Sequence, residues 1–415
     1  MSFWPLLITL VLLIVLLRFK LGLGWALFIS STVLALLSGM GTNKTFFLYI
    51  TTGTSKFFLE LVGVLYLIAL LEVLMRKSGS FDRAMESFNY LLTDRRYITA
   101  IFPALLGLLP SVGGARFSAP MVETAGHGLK MSGEDKALFN YWFRHVWEFV
   151  SPLFPGLIMT ASLLQVNLGR IILALSPFTL LAIFLGYLFY IRPLPVPQQQ
   201  MEAEDQGDRG KVGARGQNET RQAWKKLLLS LWPILFIVGT LACFELYIVY
   251  ALLLGIIGLF LVNRWGVQRL PGFLQGAFIP KLFWMSYGVT LFKTTIEQIG
   301  ITNNLPALIS AFGIPDFFVV MIIPFLIGGL TGLTQGYVGT AFPLLLPFLA
   351  QGGSVNYGFI ALAYVTGFAG VMLTPMYFCL ILSIEYFKAN LAVVWVRLFI
   401  PEVIMVACAV IMAVL

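Results

Sequence analysis

Apolar runs of about 20 residues, the length a helix needs to cross a hydrocarbon core, recur along nearly the whole chain and are separated by short polar stretches. They predict spans at 3–17, 22–40 and 56–75, then a polar amphipathic stretch at 77–97. A broken apolar block follows at 98–122, with further spans at 138–164 and 170–191. The segment 192–226 differs in kind. Pro193, Pro195 and Pro197, a glutamine run and the mixed charges of GDRGKVGARGQNET mark a flexible linker. After it the layout repeats, with spans at 227–243, 246–262 and 276–298, a broken block at 305–349, and spans at 357–384 and 391–415.

The repetition extends to single residues. Ser111, Gly113, Pro120, Tyr141, Ser151 and Pro152 recur 223 positions later as Thr334, Gly336, Pro343, Tyr364, Thr374 and Pro375. Upstream, Pro103-Ala-Leu-Leu-Gly107 resembles Pro324-Phe-Leu-Ile-Gly328, and Gly63 to Glu72 has the spacing of Gly288 to Glu297. Both copies place helix breakers where a lipid-embedded helix should be continuous. Lipid cannot satisfy freed N–H and C=O groups, so broken backbone at that depth survives only inside protein or beside a water-filled cavity. Two broken segments at corresponding places in two halves point to a transporter binding site.

Composition fixes the class. Of 415 residues 59% are hydrophobic and only 11% charged, with a mean hydropathy of +0.90. A soluble domain carries about a quarter charged residues, and the ~10-residue alternation of a membrane barrel is absent. The expected fold is therefore an all-α polytopic membrane protein. The net charge of +8 reads as cytoplasmic loop charge and not as nucleic-acid affinity. Cys243, Cys379 and Cys408 all lie in apolar runs and form no disulfide framework. The first apolar run has no basic region before it and no cleavage site after it, so it reads as a spanning helix.

The basic residues orient the chain. Arg18, Arg76, Lys77, Arg95, Arg96, Lys130 and the linker cations fall on one side if the N-terminus is outside and 98–122 is a hairpin entering and leaving from the cytoplasm. The first half, 1–191, then holds five crossings and one re-entrant hairpin. Because five is odd, the second half, 227–415, starts on the other side, and its hairpin enters from outside. No Lys or Arg lies between Lys293 and Lys388, which agrees. The expectation is an inverted-topology repeat with a cytoplasmic linker at 192–226 and both termini outside.

The first hairpin, PSVGGARFSAP over 110–120, has Gly113 and Gly114 to release the backbone at its tip, and Pro110 and Pro120 to limit the arms. A helix starting there aims its N–H groups at a cavity. Arg116 adds a planar donor fork suited to carboxylate, and Ser111 and Ser118 add neutral hydroxyls. The second tip, TGLTQGYVGT over 331–340, is uncharged and offers Thr334, Gln335, Gly336 and Thr340. Gly328 to Gly332 also spells GxxxG, a helix-packing face, which is a competing reading for this half. In the following spans, Pro152 and Pro375 free the carbonyls of Glu148 and Val371 beside Ser151 and Thr374, a setting suited to a coupling ion. Ser111, Ser151, Thr334 and Thr374 are thus the candidate coupling-ion residues, and no cofactor is called for beyond Na⁺ or H⁺.

Arg144 and Glu148, like Lys293 and Glu297, are four apart and pair on one helix face. With Glu60 and Glu72 they are intramembrane charges, hence candidates either for function or for packing. His145 titrates near neutrality and is a candidate proton carrier, or an interfacial histidine. No Walker A, HExxH or GxSxG sequence occurs, so an enzyme or an ATP-driven pump finds no motif here.

Two similar halves, a hairpin in each and a Ser/Thr-Pro-broken span after each hairpin resemble the ion transporter superfamily, which includes divalent anion/sodium symporters, citrate carriers and gluconate permeases. PSVGGARFSAP followed by NYWFRHVWEFVSP is similar to an uncharacterised integral-membrane family within it. The resemblance implies a scaffold part, a mobile part that moves as an elevator, and a homodimer. Neither tip carries the Ser-Asn-Thr signature of the dicarboxylate carriers.

The reading is a secondary active transporter of the cytoplasmic membrane that moves a small organic anion with Na⁺ or H⁺. Ser111, Gly113, Gly114, Arg116 and Ser118 would bind the substrate from one hairpin, and Thr334, Gln335, Gly336, Thr340 and Thr374 from the other side. An anion channel and a non-transporting assembly protein are the alternatives.

Overall fold

The chain is almost wholly helical, in keeping with its apolar runs. A computed structural model describes residues 4–19, 21–108, 114–195, 217–244, 246–300, 313–351 and 354–414. Its first part comprises α1 (Trp4–Arg18), α2 (Leu23–Leu37), α3 (Thr42–Gly53), α4 (Lys56–Lys77), α5 (Ser80–Leu91), α6 (Arg95–Gly107), α7 (Ala115–Ala125), α8 (Gly133–His145), α9 (Pro155–Leu164) and α10 (Leu168–Gly186). The second comprises α11 (Gln217–Phe244), α12 (Ile248–Val262), α13 (Leu270–Ala277), α14 (Pro280–Ile299), α15 (Asp316–Thr331), α16 (Thr334–Leu349), α17 (Tyr357–Leu373), α18 (Phe378–Phe387) and α19 (Leu391–Val414). Two two-residue strands, β1 (Ala350–Gln351) and β2 (Ser354–Val355), pair between α16 and α17.

Helix ends follow local chemistry. The Ser55 hydroxyl accepts from the Phe58 N–H at 3.2 Å to start α4, and Arg76 and Lys77 sit at that helix's negative end. Ser132 and Asp135 form a reciprocal capping box on α8. Asn167 caps α10 and Asn356 caps α17. Among the described residues five helical stretches are long and apolar enough to span a bilayer: 56–77, 168–191, 218–241, 357–387 and 391–414. Large apolar side chains such as Leu180, Leu261 and Val396 are exposed on these and neighbouring helices, which suits a lipid surround and not water.

Two groups of helices share the core. In one, α4 packs against α12, α13 and α14, α2 against α14, and α5 against α11. In the other, α8 and α17 are central: α6, α7, α18 and α19 pack on α8, and α15, α16, α10 and α19 pack on α17. The groups meet along α14 with α16, α4 with α9, and α5 with α6.

Three expected boundaries change. α3, Thr42–Gly53, is a helix that the polar run TNKTFFLYITTG did not suggest. The linker ends earlier than expected: 217–226 is already the start of α11. There Lys226 pairs with Glu86 at 2.5 Å, and the Tyr90 hydroxyl donates to Glu219 at 2.8 Å, so α5 holds the polar end of α11 in place. Residues 196–216 lie outside the described residues. The 138–164 span is broken, as its Ser151-Pro152 pair predicts, but the interruption begins earlier: it stops at His145, turns through 146–154 and restarts at Pro155.

Candidate functional site

Both broken blocks fold as pairs of antiparallel-neighbour helices, α6 with α7 and α15 with α16. The second pair turns at Gly332, whose φ of +59° is open to glycine at little cost. Residues 109–113, between α6 and α7, lie outside the described residues, Ser111 and Gly113 among them. α6 and α7, with 13 and 11 residues, are about 20 and 16 Å long, and the 16-residue α15 and α16 about 24 Å. Each arm is shorter than a hydrocarbon core of about 30 Å.

The returning arms cross over. α7 packs against α18, which follows the break in the second half, and α16 packs against α9, which follows the break in the first. Close approach makes this possible. A Cβ at Gly156, in the first turn of α9, would lie 2.4 Å from Thr334 Cγ2 and 3.0 Å from the Tyr364 hydroxyl. The helix pairs behind the hairpins match as well: a Cβ at Gly107 would lie 2.0 Å from the Arg144 carbonyl oxygen, and one at Gly328 2.1 Å from that of Gly367.

Backbone groups freed at the breaks are satisfied by side chains. The Tyr364 hydroxyl donates to the Glu148 carbonyl at 3.2 Å, and Thr179 donates to that of Val146 at 3.0 Å. Tyr141 donates to the Met372 carbonyl at 3.1 Å and Trp395 to that of Leu373 at 2.6 Å. The Glu148 carbonyl, expected to be freed for a cation, already accepts one hydrogen bond from a hydroxyl. The side chains at the same turn are less settled. Thr334 is buried close to the Glu148 carboxyl. Glu148 Oε2 and Ser151 Oγ are buried without a hydrogen-bond partner among the described residues. Buried polar atoms are costly to leave unpaired, and such atoms cluster where something binds.

Arg144 is 4% exposed and hydrogen-bonded to Cys379. α8 ends at His145, so Arg144 and Glu148 lie on either side of that helix end, with Arg144 the cation acting on the carboxyl. Lys293 and Glu297 do pair, at 3.3 Å, with the ammonium 4.4 Å from the Phe57 ring centroid. His145 has its Nδ1 2.6 Å from the Tyr141 carbonyl and its Nε2 2.8 Å from the Tyr377 hydroxyl. A carbonyl only accepts, so Nδ1 carries the hydrogen and, in the neutral ring, Nε2 accepts from Tyr377.

In front of this turn lies a cleft of about 600 Å³ between the two helix groups. α4 contributes Glu72 and Arg76 to it, α7 contributes Phe117, and Leu333 and Gln335 come from the second hairpin; Pro155, at the start of α9, lies at its floor. Arg76 and Glu72 pair at 3.1 Å, and the guanidinium stands 5.8 Å from the Phe117 ring centroid.

The sequence-predicted residues distribute unevenly over this geometry. Gln335 lines the cleft, and Thr334, Gly336 and Ser151 are buried at the crossing behind it. Thr374 is buried beside Gly332, and its hydroxyl accepts from the Met376 N–H at 3.3 Å. Gly114 is buried at the start of α7, while Arg116, two residues on, is exposed and outside the buried cluster. Ser118 donates to Asn140 Oδ1 at 2.5 Å, and Asn140 in turn donates to Ser383 at 2.8 Å and to the Ala115 carbonyl at 2.9 Å. That hydroxyl is thus engaged in tying α7, α8 and α18 together. Thr340 lines an apolar groove between α1 and the second hairpin, not the cleft. Sequence reasoning missed Asn140, Ser383, Tyr377 and Glu402. Glu402 was visible as a lone polar residue in an apolar stretch; Asn140 sits among other polar residues of α8, and the two hydroxyl residues carried no such signal.

Short apolar hairpins, interrupted helices and a lipid-suited exterior define a polytopic helical membrane protein. Within that class the chain belongs to the family described as a protein of unknown function (DUF401), which it matches over residues 1–201 and 211–415. No curated protein matches it.

Proposed function

We propose that this protein is a secondary active carrier of a small organic anion of the carboxylate class, coupled to Na⁺ or H⁺. Its hairpins are re-entrant, its halves are an inverted repeat akin to those of the ion transporter superfamily, and the hairpin-bearing group moves as an elevator against the group built on α4. It works as a homodimer in the cytoplasmic membrane, termini outside. The observation that carries the reading is the crossing of α7 and α16 onto the opposite post-break helices, with Glu148 Oε2 and Ser151 Oγ left unpartnered where they cross. Broken helices converging on buried polar atoms at membrane depth are the hallmark of a carrier's site.

The substrate enters the cleft, where Arg76 and Gln335 attract and orient an anion. The oxygens of Glu148, Ser151 and Thr334 hold its polar end or the coupling cation. A panel of organic anions is tested for thermal stabilisation of the purified protein in Na⁺ and in K⁺ buffer at two pH values, because a ligand of the native state raises stability by mass action. Hits are followed by counterflow in proteoliposomes. Saturable, trans-stimulated exchange is expected. Flux without trans-stimulation would make it a channel, and no stabilising anion with no flux would leave the assembly-protein reading.

A further inference from the structure

Glu402 lies midway along α19, a 24-residue helix that is otherwise apolar around it, and is 2% exposed. It has no hydrogen bond or ion pair among the described residues; Arg397, the nearest cation along its own helix, is paired with Asp135 at 2.8 Å. An ionised carboxylate without a partner at this depth is expensive, and such groups in membrane helices mark ion and proton pathways.

The carboxyl borders a small cavity, about 10 Å³ for a water centre, which it shares with His145, Phe149, Phe368, Met372 and Met405. That is the room one water needs. The lining offers no ring of oxygens, so a hard cation such as Na⁺ has no coordination shell here. A proton needs none. The titratable groups around Glu402 are His145 and Tyr141 from α8, Tyr190 from the turn after α10 and Arg397 from α19 itself; α17 presents Phe368 and Met372. His145 lines the cavity, but its Nδ1–H is committed to the Tyr141 carbonyl. Its Nε2 meets the Tyr377 hydroxyl, and Tyr377 belongs to the break 374–377, where Met376 and Thr374 touch the tip of the second hairpin at Gly332. α19 packs on α8, α10 and α17, so Glu402 sits within the group that carries the hairpins.

We infer that Glu402, with the one-water cavity beside it, is a proton-carrying site, and that the coupling ion of the carrier proposed above is the proton. A proton from water adds to the Glu402 carboxylate on one side of the membrane and leaves to water on the other, with no other bond changed. This identification of the coupling ion rests on the transport reading; the proton site itself does not.

The experiment separates the two. Full-length protein in liposomes is titrated by infrared difference spectroscopy, and uptake of an anion from the panel is measured with and without an inward proton gradient. The wild type should show a protonated-carboxyl C=O absorption that disappears as pH rises; Glu402→Gln should lack it. The variant should also lose the stimulation of uptake by the gradient while keeping downhill exchange. Glu402→Asp, which moves the carboxyl by one methylene, should shift the midpoint of the absorption, and serves if the glutamine variant fails to fold. An absorption unchanged in Glu402→Gln or in Glu402→Asp overturns the proton site. Full gradient stimulation in Glu402→Gln overturns its role in coupling. A Glu402-dependent absorption in a protein that transports no anion of the panel would sink the carrier reading and leave the proton site standing.

Discussion

The hydroxyl of Tyr364 donates to the main-chain carbonyl of Glu148, the carbonyl that Pro152 strips of its helical partner. Tyr141, which occupies the corresponding place 223 residues earlier, donates to the Met372 carbonyl just before the second break. Each half thus closes the interrupted helix of the other. Tyr364→Phe and Tyr141→Phe should each lower the stability of the detergent-solubilised protein by about 0.5–2 kcal/mol, the range for one buried hydrogen bond and an orphaned carbonyl. Chemical unfolding of both variants measures this. If neither variant differs from wild type, the tyrosines only fill space.

Glycines at the crossings leave room for backbone, not for side chains. Gly107→Ala and Gly328→Ala would each drive a methyl into a carbonyl oxygen of the neighbouring helix, at Arg144 and Gly367. Backbone cannot give way as a side-chain end can, so a loss of about 1–3 kcal/mol or more is expected, as for other overpacked sites. Gly63→Ala, where no atom stands within 4 Å of the added Cβ, is the control and should be neutral. Expression and thermal unfolding of the three variants give the comparison.

Acid should loosen the contact between α8 and α19 at their polar ends. Burial would raise the Asp135 carboxyl, but the Ser132 main-chain amide and the Arg397 guanidinium outweigh it and hold it below its ordinary value. A group depressed on folding adds stability that is full above its unfolded value, about 3.9 for Asp, and is lost as pH falls through the lower folded one. The pair is partly exposed, so the effect is at most about 1 kcal/mol. Thermal unfolding followed from neutral into the acid range should show a shallower decline for Asp135→Asn than for wild type. Equal slopes would show that Asp135 contributes nothing to acid sensitivity.

Much of the architecture was legible because two strong signals coincide: long apolar runs and paired breakers in register. The breaks at Ser151-Pro152 and Thr374-Pro375, and the turn near Gly332, fall where glycine and proline put them. α3 was not legible, because Thr45 and Thr51 spend their hydroxyls on nearby main-chain carbonyls, as Thr45 does on that of Gly41 at 2.8 Å, and composition does not disclose that. The site was legible in part. Spacing alone placed Thr334 and Ser151 at the crossing, but it could not say which hydroxyls are engaged inside the protein. Ser118 and Ser151 look alike in sequence; Asn140, from a different helix, occupies the first, and among the described residues nothing occupies the second. Arg116 stood out as the only charge at a hairpin tip, yet its direction depends on where the turn of α7 begins, and there it faces outward.

That difference between two serines can be tested directly. Ser151 Oγ is buried and makes no hydrogen bond among the described residues, so removing it takes no internal contact away. If Ser151 served only packing, Ser151→Ala should be neutral or stabilising by about 1–3 kcal/mol, the cost of keeping such a group dry and unpaired. If it contributes an oxygen to bound substrate or coupling ion, the same variant should keep that stability and lose about tenfold in apparent affinity, as one hydrogen bond of roughly 1.4 kcal/mol allows. Thr340→Val is the matched comparison, because Thr340 Oγ1 is also buried and unpartnered but lines the groove beside α1; its uptake should stay at the wild-type level. Saturation of uptake measured on both variants decides between the readings: a Ser151→Ala protein with wild-type affinity, or a Thr340→Val protein equally impaired, would detach the site from the crossing of the two hairpins.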